Sequence, residues 1–222
     1  MHCVVTAGPT FEPLDLVRRL TNFSTGRLGT ELANFLTDRG HRVALLIGEQ
    51  SPWPGARRAA HVQKFTTTAD LADRLRGLAA QRVDALFHAA AVSDFTFGKI
   101  WLQTPQGGQA EVQAAKMPSR EGTLLAELVP TPKVIEELRD WFPRTRLVGW
   151  KYEVEGDRAC SLQRAVQQLA DCRTDACVVN GRAYGDGYGF VPLGGATAHV
   201  PDLAALFEAL EKFLQTGSPR KP

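Results

Sequence analysis

Short apolar runs alternate with amphipathic helical patterns along nearly the whole chain, and few folds can absorb that rhythm. The run "CVVTAG" (3–8) is followed by "GTELANFLTDRG" (29–40), which places Leu32, Phe35 and Leu36 on one helical face and closes on Gly40 as a C-cap. "HRVALLIG" (41–48) reads as the next strand. "TTTADLADRLRGLAAQR" (66–82) is a helix with a threonine start, Leu71, Leu75 and Leu78 in phase, and a basic end. "VDALFHAAAV" (83–92), "RLVGWKY" (146–152) and "DACVVNG" (175–181) are further strands. "TPKVIEELRDWF" (131–142), "SLQRAVQQLADC" (161–172) and "DLAALFEALEKFLQ" (202–215) are further helices. This alternation implies an α/β, Rossmann-like three-layer domain, its mostly parallel sheet covered on both faces. Ligands of such sheets sit beyond the carboxyl ends of the strands. The loops after "VVTAG", "LLIG", "LFHAAAV" and "VVNG" are therefore expected on one rim.

One region breaks the rhythm. Between 95 and 130, "KIWLQ" and "AEVQA" are joined by "TPQGG", a hairpin signal, and "TLLAELV" is a further extended piece. We expect a β-flap appendage at the sheet edge that covers a site or pairs with a second subunit. The domain reading is a single unit over 1–215 carrying this appendage, with 216–222 ("TGSPRKP") as a disordered tail.

Composition removes several classes of function. The chain has 222 residues, 44% hydrophobic and 23% charged, enough to bury the core of one large domain. A net charge of +2 gives no reason to expect nucleic acid or an anionic membrane as partner. No apolar run reaches the length of a membrane span, and "MHCVVTAG" has no leader character. A cytoplasmic location is the expectation. Cys3, Cys160, Cys172 and Cys177 form no C-x-x-C pair and have no metal-like histidine partners, so they read as buried free thiols.

Two small-residue loops follow the first strand. Gly8-Pro9-Thr10 ends it, and Ser24-Thr25-Gly26-Arg27-Leu28-Gly29 opens the first helix. Unpaired N–H groups at that helix start, hydroxyls at Ser24 and Thr25, and glycines that admit close approach make a phosphate cradle; an ordinary N-capped helix is the alternative. Between the loops, "EPLDLVRRLTN" (12–22) is long for a βα connection. It places Arg18, a guanidinium for an anion, and Asn22, an amide for a carbonyl or hydroxyl, at the rim.

"TAGPTFEPLD" with "LTNFSTGRLG", together with "AAAVSDF", resembles the phosphopantothenate–cysteine ligase family, the ligase half of a bifunctional coenzyme A enzyme. "VPTPKVIEELRDWFP" and "VGWKYEVEGD" extend the likeness and are similar to the single-function, eukaryote-like branch. The resemblance implies ligation of 4′-phosphopantothenate with L-cysteine through an acyl nucleotidylate. It also implies Mg2+ with ATP or CTP as co-substrate, no flavin and a homodimer, and leaves room for a separate decarboxylase as partner.

Carried over by position, Gly8, Ser24, Gly26 and Gly29 would hold the nucleotide phosphates, with Trp150 near the base and Asn180 completing the nucleotide contacts. Asn22 would hold the amide of the acid and the acyl intermediate, Ala90, Ala91 and Asp94 would line the substrate, and Arg18 would serve substrate or second step. Of two candidate flap lysines, Lys99 is nearer Asp94. Lys116, within "KMPSREGTLLAELV", better fits the family's spacing and is the choice. Three features depart from the family. Thr131-Pro132 replaces an asparagine-proline pair. Gln168 and Cys172 stand where CTP-using members carry lysines, which leans toward ATP or loose base choice. "NGRAYGDGYGF" (180–190), with Tyr184 and Tyr188, replaces the usual loop and could form a rim, contact the base or be a structural turn. His88 reads as a strand-end core histidine. Two other readings stay open. One is a short-chain-dehydrogenase-like NAD(P) oxidoreductase, with Glu49 gripping a ribose but no Tyr-x-x-x-Lys pair. The other is a non-catalytic nucleotide-binding relative.

Overall fold

In chain order the elements begin with β1 (His2–Ala7), β2 (Phe11–Pro13), β3 (Arg19–Thr21), α1 (Arg27–Asp38), β4 (Arg42–Gly48) and β5 (His61–Phe65). There follow α2 (Thr68–Leu78), β6 (Ala85–His88), β7 (Phe95–Gln103), β8 (Gln109–Glu111), β9 (Thr123–Pro130) and α3 (Val134–Trp141). The chain closes with β10 (Arg146–Tyr152), α4 (Arg158–Asp171), β11 (Ala176–Asn180), β12 (Tyr188–Pro192), β13 (Ala198–Val200) and α5 (Leu203–Gln215). The computed structural model describes residues 1–104, 107–117 and 122–216. The tail expected at 216–222 lies, beyond Thr216, outside the described residues.

The central sheet runs β13-β12-β11-β10-β6-β1-β4-β5. Its six strands from β11 to β5 are mutually parallel; β12 runs antiparallel to β11, and β13 to β12. Counted among the parallel strands alone, this is the doubly wound order 3-2-1-4-5-6, with its switch point between β1 and β6. Both faces are buried, which is why these strands read as unbroken apolar runs. Cys3, Val5 and Ala7 pack toward α1 and α5, while Val4 packs with residues of α2 and α3. Ala165 and Leu169 of α4 pack on Cys177 and Val179 of β11. The expected C-cap holds: Gly40 has φ 81°, its N–H bonds the Thr37 carbonyl and that of His41 bonds Leu36.

The sequence pattern misses β5, an edge strand whose His61, Val62 and Lys64 are exposed, and the short strands β2, β3, β12 and β13. The appendage forms as expected, a sheet in the order β8-β7-β9. Both its ends meet at one root, where Thr131 N–H donates to the Asp94 carbonyl (3.0 Å) and Thr131 Oγ1 donates to the Ser93 carbonyl. Pro105 and Gln106 of its expected turn lie outside the described residues.

The hairpin of β2 and β3 docks on the appendage through Asp15. That carboxylate accepts from the N–H groups of Val17, Arg18 and Met117 and from the Arg18 guanidinium. These bonds, the one from Met117 foremost, hold its carboxyl well below the usual range. Asp15→Ala is expected to undock this turn, read as faster amide exchange at Val17, Arg18 and Met117 with the central sheet unchanged.

Three cysteines are buried as expected. Burial pushes the Cys3 and Cys177 thiols up to about 12 and Cys172 up to about 11, so they stay protonated and inert. Cys160, by contrast, is exposed, because it lies in the first turn of α4, on the outer side.

Candidate active site

At the switch point the ladder between β1 and β6 continues past the strands. Ala91 N–H donates to the Gly8 carbonyl (3.0 Å), and Thr10 N–H donates to the Ala91 carbonyl (3.1 Å). Thr10 Oγ1 donates to Ser93 Oγ and accepts from Ser93 N–H, which fixes both loops from below. Beyond them opens a cavity of about 1060 Å³.

Two glycine turns form one wall. Gly8 and Gly26 both have φ 77°, a left-handed conformation that a side chain disfavours. They are wedged against Ser51: a Cβ on Gly8 would lie 1.8 Å from Ser51 Oγ, and one on Gly26 would lie 2.9 Å from it. The segment after β4 thus backs the turns, with Trp53 N–H donating to the Thr25 carbonyl (3.2 Å). α1 starts at Gly26 with no side-chain cap and no acidic residue in its first turn. The Arg27 N–H donates to Thr25 Oγ1 (3.3 Å), while the positive dipole end of the helix faces the cavity, a setting that favours an anion. Gly29 serves packing as well, since a Cβ there would sit 2.6 Å from that of Ala7.

Asn22 lies between the turns and the strand end. Its Nδ2 donates to the carbonyls of Ala91 and Val92, each at 3.1 Å. Two acceptors fix which end of the amide is nitrogen, so Oδ1 is the free group, an acceptor for a ligand N–H. On the far wall, Trp150 carries an indole N–H that is buried without a partner among the described residues. Asn180, at the end of β11, lines this cavity and a neighbouring one of about 880 Å³ under the glycine-rich 181–187 loop.

The cavity thus brings together Gly8, Asn22, Ser24, Gly26, Gly29, Ala90, Ala91, Asp94, Trp150 and Asn180 of the expected site. Arg18 and Lys116 are not among its lining residues. Arg18 is engaged by Asp15 and donates to the Met117 carbonyl (2.8 Å), while Lys116 is exposed. Lys99 pairs with Glu111 (3.6 Å) on the appendage. Glu49 is also absent from the walls. The sequence reading overlooked Lys133. At the start of α3, it lines the cavity and pairs with Asp94, so a cation stands at the Asp94 end of the cavity. Its signal was "TPKV", where the lysine directly precedes a helix start.

Fold and cavity together define a Rossmann-like α/β domain whose ligand site lies at the topological switch point. Residues 1–191 match the model of the DNA/pantothenate metabolism flavoprotein C-terminal domain, and the chain belongs to that family. It is 31% identical over 189 residues to the coenzyme A biosynthesis bifunctional protein CoaBC of Bacillus subtilis, covering 85% of this chain and 42% of that one. The likeness to the CoaBC protein of Thermococcus kodakarensis is 30% over 178 residues, covering 80% and 40%. The chain therefore spans about two fifths of the length of these curated relatives. Among solved structures, the DNA/pantothenate metabolism flavoprotein from Streptococcus pneumoniae superposes with TM-score 0.84 at 25% identity, covering 97% of this chain and 98% of that one. No helix of the described residues is long and apolar enough to cross a membrane.

Proposed function

We propose that the chain joins 4′-phosphopantothenate to cysteine in two steps within the switch-point cavity. In the first, the carboxylate oxygen attacks the α-phosphorus of a nucleoside triphosphate and pyrophosphate leaves, giving an acyl nucleotidylate. In the second, the cysteine amine attacks the acyl carbon, the nucleoside monophosphate leaves and the amine gives up a proton. The observation that carries this reading is the meeting of the Gly8 and Gly26 turns with the Ala90–Asp94 strand end in one cavity, with Asn22 between them. The turns and the uncapped α1 receive phosphates. Asn22 Oδ1 accepts from the pantothenoyl amide, and Lys133 offsets negative charge where carboxylate meets phosphate.

No group of three or more His, Cys, Asp or Glu that could hold a metal occurs among the described residues. Magnesium fits here as an ion that arrives with the triphosphate, taking phosphate oxygens and water and at most one or two carboxylates, with Asp94 and Glu136 at hand. When bound it neutralises the phosphates; orientation falls to the residues named. ATP and CTP are both admitted by this reading.

Arg18 and Lys116 enter in a homodimer. Leu16, Val17 and Phe23 on or beside the β2–β3 hairpin are exposed, as are Phe95 and Leu128 on the appendage, and together they offer an apolar face to a second copy. Across that face the two cations reach the partner's cavity. Sedimentation should give a dimer, and a monomer at working concentration would remove this role for them. The main test is exchange of labelled pyrophosphate into the triphosphate, which requires 4′-phosphopantothenate if the acyl intermediate forms. Exchange that does not depend on the acid, or none at all, would overturn the ligase reading.

A further inference from the structure

Strand alternation sorts the cavity into two sides. Val5, Ala7, Phe87 and Val148 face α1 and α5, and Trp150 packs with them. Val4, Leu86 and Leu147 face α2 and α3, and Ala90 and Val92 pack with those. Thr6 and His88, each one residue past an α1-facing neighbour, therefore stand on the α2–α3 side. That is the side of Lys133, across the strand ends from the α1 start and Trp150. His88, read from the sequence as a strand-end core histidine, is 5% exposed yet lines the cavity. Gly149, its neighbour on β10, adds no side chain beside it, and a Cβ there would lie 2.5 Å from Gln168 Nε2.

One hydrogen-bond chain fixes the imidazole. Its Nδ1 lies 3.0 Å from Thr6 Oγ1, which accepts from Ala90 N–H (3.1 Å). Among the described residues Nδ1 is the one acceptor for the Thr6 hydroxyl proton, so the ring carries its own proton on Nε2. Burial pushes its pKa down to about 4, so the ring is neutral and too weakly basic to take a proton from an amine. What remains is an N–H donor with no protein partner among the described residues. The backbone donors beside it are spent. The N–H groups of Ala89 and Ala91 bond the carbonyls of Thr6 (3.2 Å) and Gly8 (3.0 Å), and that of Ala90 is held by Thr6 Oγ1. These three alanines therefore form no backbone oxyanion hole.

We infer that His88 is a catalytic residue whose Nε2–H donates to the acyl oxygen of the acid. This rests on the ligase reading and deepens it by naming the donor for the acyl-transfer step. In that reading the body of the acid lies beside Asn22 and Ala90–Asp94, and the phosphorus it attacks lies beside the glycine turns. The carboxyl group then sits over the strand ends, where His88 reaches it from below. In the first step His88 holds one carboxylate oxygen while the other attacks phosphorus. In the second, the amine lone pair forms the C–N bond and the carbonyl π pair moves onto the oxygen that His88 holds. The oxyanion collapses, the C–O bond to the nucleotide breaks, and the nucleoside monophosphate leaves with that pair. The amine proton passes to solvent, and His88 keeps its own throughout. A neutral imidazole polarises a carbonyl in this way, and the bond tightens as the oxygen gains charge.

The test separates the two steps on wild type, His88→Asn and His88→Gln. Pyrophosphate exchange reports the first step. Nucleoside monophosphate released in a rapid quench, when cysteine meets preformed acyl nucleotidylate, reports the second. Asparagine places its carbonyl oxygen where Nδ1 was, so it keeps the Thr6 bond and loses the donor. It should slow the second step by about 10²–10³-fold, the cost of one oxyanion donor. Exchange should lose at most about tenfold, through KM for the acid, the scale of one neutral hydrogen bond. Glutamine gives up the Thr6 bond but places its amide nitrogen where Nε2 was. It should melt lower than asparagine and yet run the second step at least about tenfold faster. A merely structural histidine would give the opposite order. A wild-type second step in His88→Asn, asparagine equal to or faster than glutamine, or exchange that falls as far as the second step overturns the inference. In each of those cases acid-dependent exchange in the wild type leaves the ligase reading intact. A wild type without such exchange overturns both.

Discussion

Asn22→Asp is expected to lower kcat/KM for pyrophosphate exchange by about 10²–10³-fold, the scale of a lost orienting contact compounded by charge, with the thermal melt nearly unchanged. The two side chains are isosteric, so size plays no part. The native amide spends its nitrogen on the carbonyls of Ala91 and Val92, which holds Oδ1 toward the cavity. A carboxylate has no donor for those carbonyls, is repelled by them and must turn away. It also adds a negative charge where the proposed reaction would bring carboxylate and phosphate together. Asn22→Ala removes the contact without the charge and should lose less than aspartate does. Equal activity in the wild type and Asn22→Asp enzymes, from a titration separating kcat from KM, would mean that Oδ1 is not the working group.

Gly8→Ala should damage both stability and nucleotide use. At φ 77° an alanine costs about 1–2 kcal/mol of backbone energy. Its Cβ would also lie 1.8 Å from Ser51 Oγ, so the segment after β4 must move. Overpacking of this kind adds roughly 1–3 kcal/mol, and the sum lowers Tm by roughly 4–20 °C for a chain of this size. The nucleotide KM should rise in parallel, because the displaced turn is one wall of the cavity. Ser51→Gly added to Gly8→Ala should recover the steric part and not the backbone part, since Ser51 Oγ has no hydrogen-bond partner to lose among the described residues. A double variant no better than Gly8→Ala would place the whole cost in the left-handed backbone.

Much of this architecture is written in periodicity. The parallel strands are buried on both faces, so β1 and β4 announce themselves as apolar runs, and helices α1 and α2 show their inward stripes. β5 escapes because an edge strand can carry His61, Gln63 and Lys64 without breaking its pairing with β4. The short pair β2 and β3 escapes because three residues show no period. At the site, the glycines and Asn22 were legible because their loops combine small residues with an unusual length. Lys133 was not, since a lysine before a helix looks like any solvated one until Asp94 is placed beside it. The room for the Gln168 amide depends on Gly149, a residue that becomes its neighbour only in the folded chain. Ser51 has the same character: its importance lies in two glycines that precede it by 43 and 25 positions (51 less 8 and 51 less 26).

The root of the appendage has an architectural corollary. Residues 95–130 leave and rejoin the chain at neighbours, Phe95 facing Pro130 in the ladder and Asp94 holding Thr131 by its carbonyl. The insert is rooted in one socket and touched by the β2–β3 hairpin at Ala115 and Met117, and none of its strands pairs with the eight-stranded sheet. The socket itself is built from Ser93, Asp94 and Thr131, and the first two of these line the cavity, so a tug on the insert reaches the cavity through Asp94 and its partner Lys133.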